Sequence, residues 1–116
     1  MIILHALTKT LWDKYENNSL YGTDSVEKFG FIHCSDLDTY HLVAPNFKDE
    51  LDKMILLVID TSRVLSKIIW EDLKNDGVAF PHIYGPLNKD SIIAILPHLW
   101  SNTREWIPNE ELKGFK

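Results

Sequence analysis

Apolar residues along this chain come in short runs, and the spacing within each run assigns it to a strand or a helix. Ile2-Ile3-Leu4-His5-Ala6-Leu7 is a β-branched opening run that predicts a strand. Thr8 follows in the place of a helix N-cap, and Leu11, Trp12 and Tyr15 recur at helical spacing until Asn17-Asn18-Ser19 ends the helix. Phe29 to Cys34 predicts a second, short strand. After it, Ser35 or Asp36 is placed to cap a helix carrying Leu37, Tyr40, His41, Val43 and Ala44, which Pro45 brings to an end. Met54 to Asp60 is apolar without alternation, as suits a central strand buried on both faces. Val64 to Glu71 alternates enough for a strand packed on one side, and Ala79 to Tyr84 and Ser91 to Pro97 supply two more β segments. Six strands and two or three helices, the helices early and the strands late, favour a single α+β domain over a doubly wound parallel sheet. The tail from Trp106 to Lys116 is the segment expected to fray.

At 116 residues the chain can bury a real core but has no room for a separate lid or cofactor domain. A net charge of −5 leaves no surplus of Lys and Arg to displace phosphate counterions, which argues against general binding to nucleic acid. Cys34 is the single cysteine, so there is no intrachain disulfide framework and the chain suits a reducing compartment. Met1-Ile2-Ile3-Leu4-His5 carries no basic leader ahead of a signal-length apolar run, and the longest apolar stretch, Met54 to Ile59, is too short to cross a bilayer. A cytoplasmic protein without a membrane partner is the expectation.

Two segments concentrate the polar chemistry. Gly30-Phe31-Ile32-His33-Cys34-Ser35 and Phe80-Pro81-His82-Ile83-Tyr84-Gly85-Pro86-Leu87 each set a histidine inside an apolar, aromatic frame. A ring held by packing near a pocket mouth can donate, accept or carry a proton near neutrality. His33 suits a ribose hydroxyl or an anionic group, or else a buried hydrogen bond beside Ser35, and Ser35 is a ligand contact or a helix cap. His82 follows Pro81, which stiffens the backbone, and brings Tyr84 with it, in a site or in a rigid edge turn. Strand alternation sets Glu71 on the face opposite a core Trp70, so Glu71 is the carboxylate placed for transition-state charge or ribose binding, unless it is only a solvated strand position. Cys34 reads as a buried, inert thiol. The chain has no His-x-x-x-His and no cysteine pair, so no metal is expected. A Gly-x-Ser-x-Gly elbow and a glycine-rich phosphate loop are also missing.

The string Gly-Phe-Ile-His-Cys-Ser, then Ala44-Pro45-Asn46-Phe47, Leu56-Leu57-Val58-Ile59-Asp60, Trp70-Glu71 and Phe80-Pro81-His82-Ile83-Tyr84-Gly85-Pro86-Leu87, resembles the family called domain of unknown function 952 over essentially the whole chain. That family is similar in fold to the ADP-ribosyltransferase superfamily, which includes RNA 2′-phosphotransferases and the toxin and polymerase branches that use NAD. The resemblance implies a curved, split, mixed β sheet around a cleft for NAD or another ADP-ribose compound. It also implies a histidine or arginine on an early strand for ribose, a position that His33 matches. Ser35, Trp70 and Tyr84 join His33 as ligand-contact candidates, while Glu71 and His82 are the catalytic ones, with Tyr84, Glu71 and His82 competing for the later motif roles.

Three functions are what the resemblance, carried onto these residues, implies. The first is an enzyme of NAD or ADP-ribose chemistry, transferring ADP-ribose or cleaving the glycosidic bond of NAD as its substrate. The second is a non-catalytic module that binds a nucleotide or other small ligand in the same cleft. The third is chemistry like that of the RNA 2′-phosphotransferases, in which His33 and His82 would meet a phosphate. The acceptor of any transfer is open, and fold analogy alone does not choose among them.

Overall fold

A computed structural model describes residues 1–115. The chain begins with strand β1 (Ile2–Thr8) and turns directly into helix α1 (Lys9–Asp13), where the Thr8 hydroxyl accepts a hydrogen bond from the Leu11 N–H at 3.2 Å. Strand β2 (Leu20–Tyr21) and helix α2 (Thr23–Phe29) follow, then two short strands, β3 (Ile32–His33) and β4 (Ser35–Asp36). Helix α3 (Tyr40–Val43) runs into a 3-10 turn at Ala44–Phe47 that accommodates Pro45 in its first positions. The remaining strands are β5 (Met54–Asp60), β6 (Lys67–Glu71), β7 (Phe80–Tyr84), β8 (Leu87–Asn88), β9 (Ile92–Pro97), β10 (Leu99–Trp100) and β11 (Trp106–Ile107), before a 3-10 helix at Glu110–Phe115.

Strand β5 is the spine that its unbroken apolar run predicts. It lies between β1 and β9 in a four-stranded sheet of order β4-β1-β5-β9, with Ile2 opposite Asp60 at one end and Thr8 opposite Met54 at the other. Successive side chains of a strand face opposite ways, so β5 feeds two cores. Ile55, Leu57 and Ile59 pack with Tyr15, Tyr21, Ile32, Ile83 and Leu87, whereas Leu56 and Val58 pack with Leu4, Tyr40, Ala44, Leu96 and Leu112. A second sheet, of order β3-β7-β6, contributes Ile32 and Ile83 to the first of these cores.

The architecture is α+β, with several small antiparallel sheets and few short helices. Every strand pair among the described residues is antiparallel, which corrects the expectation of a mixed sheet. Only β6–β7 and β10–β11 are hairpins of consecutive strands; the other pairs join strands far apart in the chain, and none is the parallel neighbour that a helical crossover would make. Ser35 is a strand residue opposite Leu4, not a helix cap. Asp36 is the turn former instead, its Oδ1 accepting from the N–H groups of Asp38 and Thr39 at 3.0 and 2.8 Å, which delays the helix to Tyr40. Phe29 ends α2 rather than opening a strand. That helix buries none of its own residues and so shows no apolar periodicity, but Gly22 and Gly30 bracket it with φ of 90° and 87°. At Gly22 a Cβ would stand 2.4 Å from Ile32 Cδ1, so the backbone passes too close for any other residue. The tail is not frayed over the described residues: β11 pairs with β10, and Leu112 is buried in the second core. Lys116 lies outside the described residues.

Leu57 is fully buried on the spine, and Leu57→Ala should lower unfolding free energy by about 2–5 kcal/mol through lost burial and a residual cavity. Urea denaturation measures this, and a loss below about 1 kcal/mol would mean that the strand is not central.

Candidate functional site

The two histidine segments meet because β3 pairs with β7. His33 stands directly opposite His82, and Ile32 directly opposite Ile83. Alternation then divides the sheet: Ile32, Ile83 and Ile68 turn toward the core, while His33, His82 and the β6 residue Glu71 share the other face. Glu71 lies opposite Phe80, two residues from His82 along β7, which is within diagonal reach on that face. His82 Nδ1 is 2.9 Å from Glu71 Oε1, and the Tyr84 hydroxyl donates to the same oxygen. Phe31 backs the group, its ring 4.3 Å from the His82 centroid and 5.2 Å from that of Tyr84. The His33 ring meets the His82 ring edge-on at 5.4 Å and 85°.

These contacts set the charges. The Tyr84 hydroxyl, and after it His82, hold the Glu71 carboxyl below its ordinary range, and the same carboxylate pushes the Tyr84 phenol up. Desolvation, followed by the neighbouring His82, pulls His33 below the usual imidazole value. Near neutrality the site therefore presents an ionised carboxylate beside neutral His33.

A cavity of about 840 Å³ opens over this face, lined by strands from both sheets and by α2 and α3. His33, Ser35, Glu71 and His82 all line it. Tyr84 reaches the site through its bond to Glu71 but is not part of the wall. Trp70 is not brought to the site. It does face away from Glu71 as alternation requires, but β6 is an edge strand, so the indole is 40% exposed instead of belonging to the core. Phe29, Phe47 and Phe80 give the cavity aromatic walls, with Lys28 and Asp24 on α2 and Lys74 and Asp76 on the β6–β7 connection also lining it. Cys34 is buried and desolvation drives its thiol far above the ordinary value, in keeping with an inert group.

Two participants, His5 and Tyr21, are not indicated by the sequence motifs. His5 Nδ1 donates to the His33 carbonyl at 2.5 Å, and its Nε2 accepts from the Tyr21 hydroxyl at 2.8 Å. The one available signal is a polar residue inside the apolar run of β1. Burial holds His5 neutral down to about 4, so this brace on β3 is intact at neutral pH. His98 is likewise lowered to about 4, by desolvation first and Arg104 second; it meets the Tyr40 hydroxyl through Nε2 at 2.6 Å. Among the described residues no three His, Cys, Asp or Glu side chains gather to hold a metal, and no helix is long and apolar enough to cross a membrane.

Fold and cleft together define a small α+β domain with a carboxylate and two imidazoles in the wall of a large cavity with aromatic sides. The chain belongs to the family described as "Protein of unknown function (DUF952)", whose model matches residues 6–95. It is similar to the crystal structure of the protein CC0527 from Caulobacter crescentus, with a TM-score of 0.79 and 21% identity over 92% of this chain and 94% of that one. The solution structure of CC0527 aligns at a TM-score of 0.64, with 22% identity over 90% of each chain. At these identities the likeness establishes the shared fold alone. No curated protein matches the chain.

His5 and His98 stay neutral in the fold to about pH 4 but titrate near 6.5 when unfolded, so the unfolded chain takes up protons that the native chain does not. Stability should thus fall as pH drops from about 6.5 toward 4. Urea midpoints at pH 7 and pH 5 test this, and His98→Phe should flatten the slope. An unchanged slope in both His98→Phe and His5→Gln would contradict the assignment.

Proposed function

We propose that the cavity binds a nucleotide of the NAD or ADP-ribose class, and that the protein cleaves or transfers across the ribose–nicotinamide bond. The carrying observation is the Glu71 carboxylate, held ionised by Tyr84 and His82 in the wall of a cavity large enough for such a ligand. Both protein donors converge on Oε1, so Oε2 keeps its acceptor capacity for a ligand. A carboxylate in that state favours a cationic nicotinamide ring and the positive charge that grows on ribose as the bond breaks. His33 anchors a ribose hydroxyl across from it, and Lys28 and Lys74 in the cavity wall suit a pyrophosphate.

Similarity of this fold to the ADP-ribosyltransferase superfamily is part of the same proposal. Support comes from the two larger antiparallel sheets, β4-β1-β5-β9 and β3-β7-β6, which jointly line one cleft. The chemistry of an RNA 2′-phosphate fits less well. The wall carries the carboxylates of Asp24, Glu71 and Asp76 against the ammonium groups of Lys28 and Lys74, and His33 is neutral. A highly anionic ligand would meet no net positive field there.

Calorimetric titration with NAD and with ADP-ribose, run beside His33→Ala and with nicotinamide release followed in the same samples, tests this. Wild type should bind and release nicotinamide. The exposed His33 should be replaceable with little change in melting temperature, while affinity falls at least about tenfold, as loss of one good hydrogen bond to a ligand implies. Binding without release would make the protein a non-catalytic nucleotide module, and no binding to either ligand would end the nucleotide reading.

A further inference from the structure

Glu71 and His82 form a carboxylate–imidazole pair in which the carboxylate dictates the state of the ring. Glu71 is ionised and can only accept, so the hydrogen between them sits on His82 Nδ1 and fixes the ring in that tautomer. Whenever the ring carries only that hydrogen, Nε2 presents a lone pair. It makes no hydrogen bond to any described residue. It is not sealed away either, because the one buried side-chain atom without a partner among the described residues is His98 Nδ1. His82 lines the cavity, so its unpaired nitrogen is reachable from there. The ring itself is 4% exposed, stacked on Phe31 at 33° and met edge-on by His33. An imidazole this buried, held in one tautomer and left with an open acceptor, is a preorganised base.

On the footing that the cavity holds an NAD-like nucleotide, we propose that His82 is the general base of the site, that Glu71 positions it, and that the acceptor is water or a hydroxyl compound. Glu71 is the poorer base of the two: its Oε2 is free, but the two protein donors on Oε1 weaken the basicity of the carboxylate. With water as acceptor, the bond from ribose C1′ to the nicotinamide nitrogen breaks, and its electron pair leaves with neutral nicotinamide. The water oxygen forms the new bond to C1′ and passes its proton to His82 Nε2. The imidazolium so formed lies against the Glu71 carboxylate, which stabilises it, and later returns the proton to solvent. Tyr84 donates to the same Oε1, so a single residue fixes the carboxylate that fixes the base.

The test uses the full chain with NAD as the probe. His82→Gln should reduce nicotinamide release by at least about 100-fold, the lower bound for a positioned general base, while the calorimetric Kd for NAD stays within about threefold. Side-chain 15N spectra of the wild type should show His82 as the Nδ1–H tautomer, and Glu71→Gln should turn it into a mixture, a change that loss of packing alone would not produce. Since the tautomer is read on the wild-type chain, it decides the matter even if His82→Gln fails to fold. An Nε2–H tautomer, or release within tenfold of wild type in a folded His82→Gln, overturns the assignment while leaving the nucleotide cleft intact. NAD bound without any release also removes the base and spares the cleft, whereas absence of NAD binding removes both.

Discussion

Strand β7 carries the core and the site on alternate residues, and the molecule depends on that alternation being held in register. Pro81 and Ile83 are buried toward the first core, and His82 points the other way with Phe80. A slip of one residue would carry Ile83 to the cavity face and His82 to the core face. Register is enforced from both neighbours, because Ile83 is opposite Ile32 on β3 and Ile68 on β6. Ile32 and Ile83 are both fully buried, so moving them to the cavity face would expose two large apolar side chains at about 1.5–3 kcal/mol each. Packing of the isoleucines is thus what aims the histidines.

The strand most plainly legible in the sequence is the one whose burial is nearly complete. Met54 to Asp60 is apolar throughout because two different cores claim its two faces, a pattern that a strand with one solvated face does not produce. Thr8 as a helix cap was equally plain, since the hydroxyl serves a neighbour three residues away and needs nothing from the rest of the chain. Helix α2 left no periodic trace because its whole surface is polar or half-exposed. The strand role of Ser35 depended on Leu4, thirty-one positions earlier, and no local rule separates a cap serine from a strand serine. Trp70 misled for a related reason: an indole suggests core, but its strand is an edge.

His33 and His82 stand out from an apolar, aromatic frame and Glu71 is singled out by strand alternation, and pairing brings the three to one face of the sheet. His5 was not, since its purpose is fixed by partners 16 and 28 residues away. His5 also shows how burial and function divide among imidazoles here. Both of its nitrogens are engaged, which makes it a brace: it ties β1 to the His33 carbonyl, and burial keeps it neutral so that the tie does not titrate near physiological pH.

His82 and His98 are the sharper comparison. Each is buried, each spends one nitrogen on a hydroxyl or carboxylate, and each has one nitrogen with no partner among the described residues. They differ in where that nitrogen lies. His98 Nδ1 is closed off among Tyr40, Trp100 and Trp106, so nothing can reach it and the unmet bond is a plain loss of stability. His82 lines a cavity with room for a ligand and its Nε2 is not among the sealed, unpartnered atoms, so water can satisfy it in the free protein and a substrate can replace that water. Unused hydrogen-bonding capacity on a rigid ring is destabilising in the first setting and chemically useful in the second. The same physical deficit therefore distinguishes a structural histidine from a candidate catalytic one by access alone.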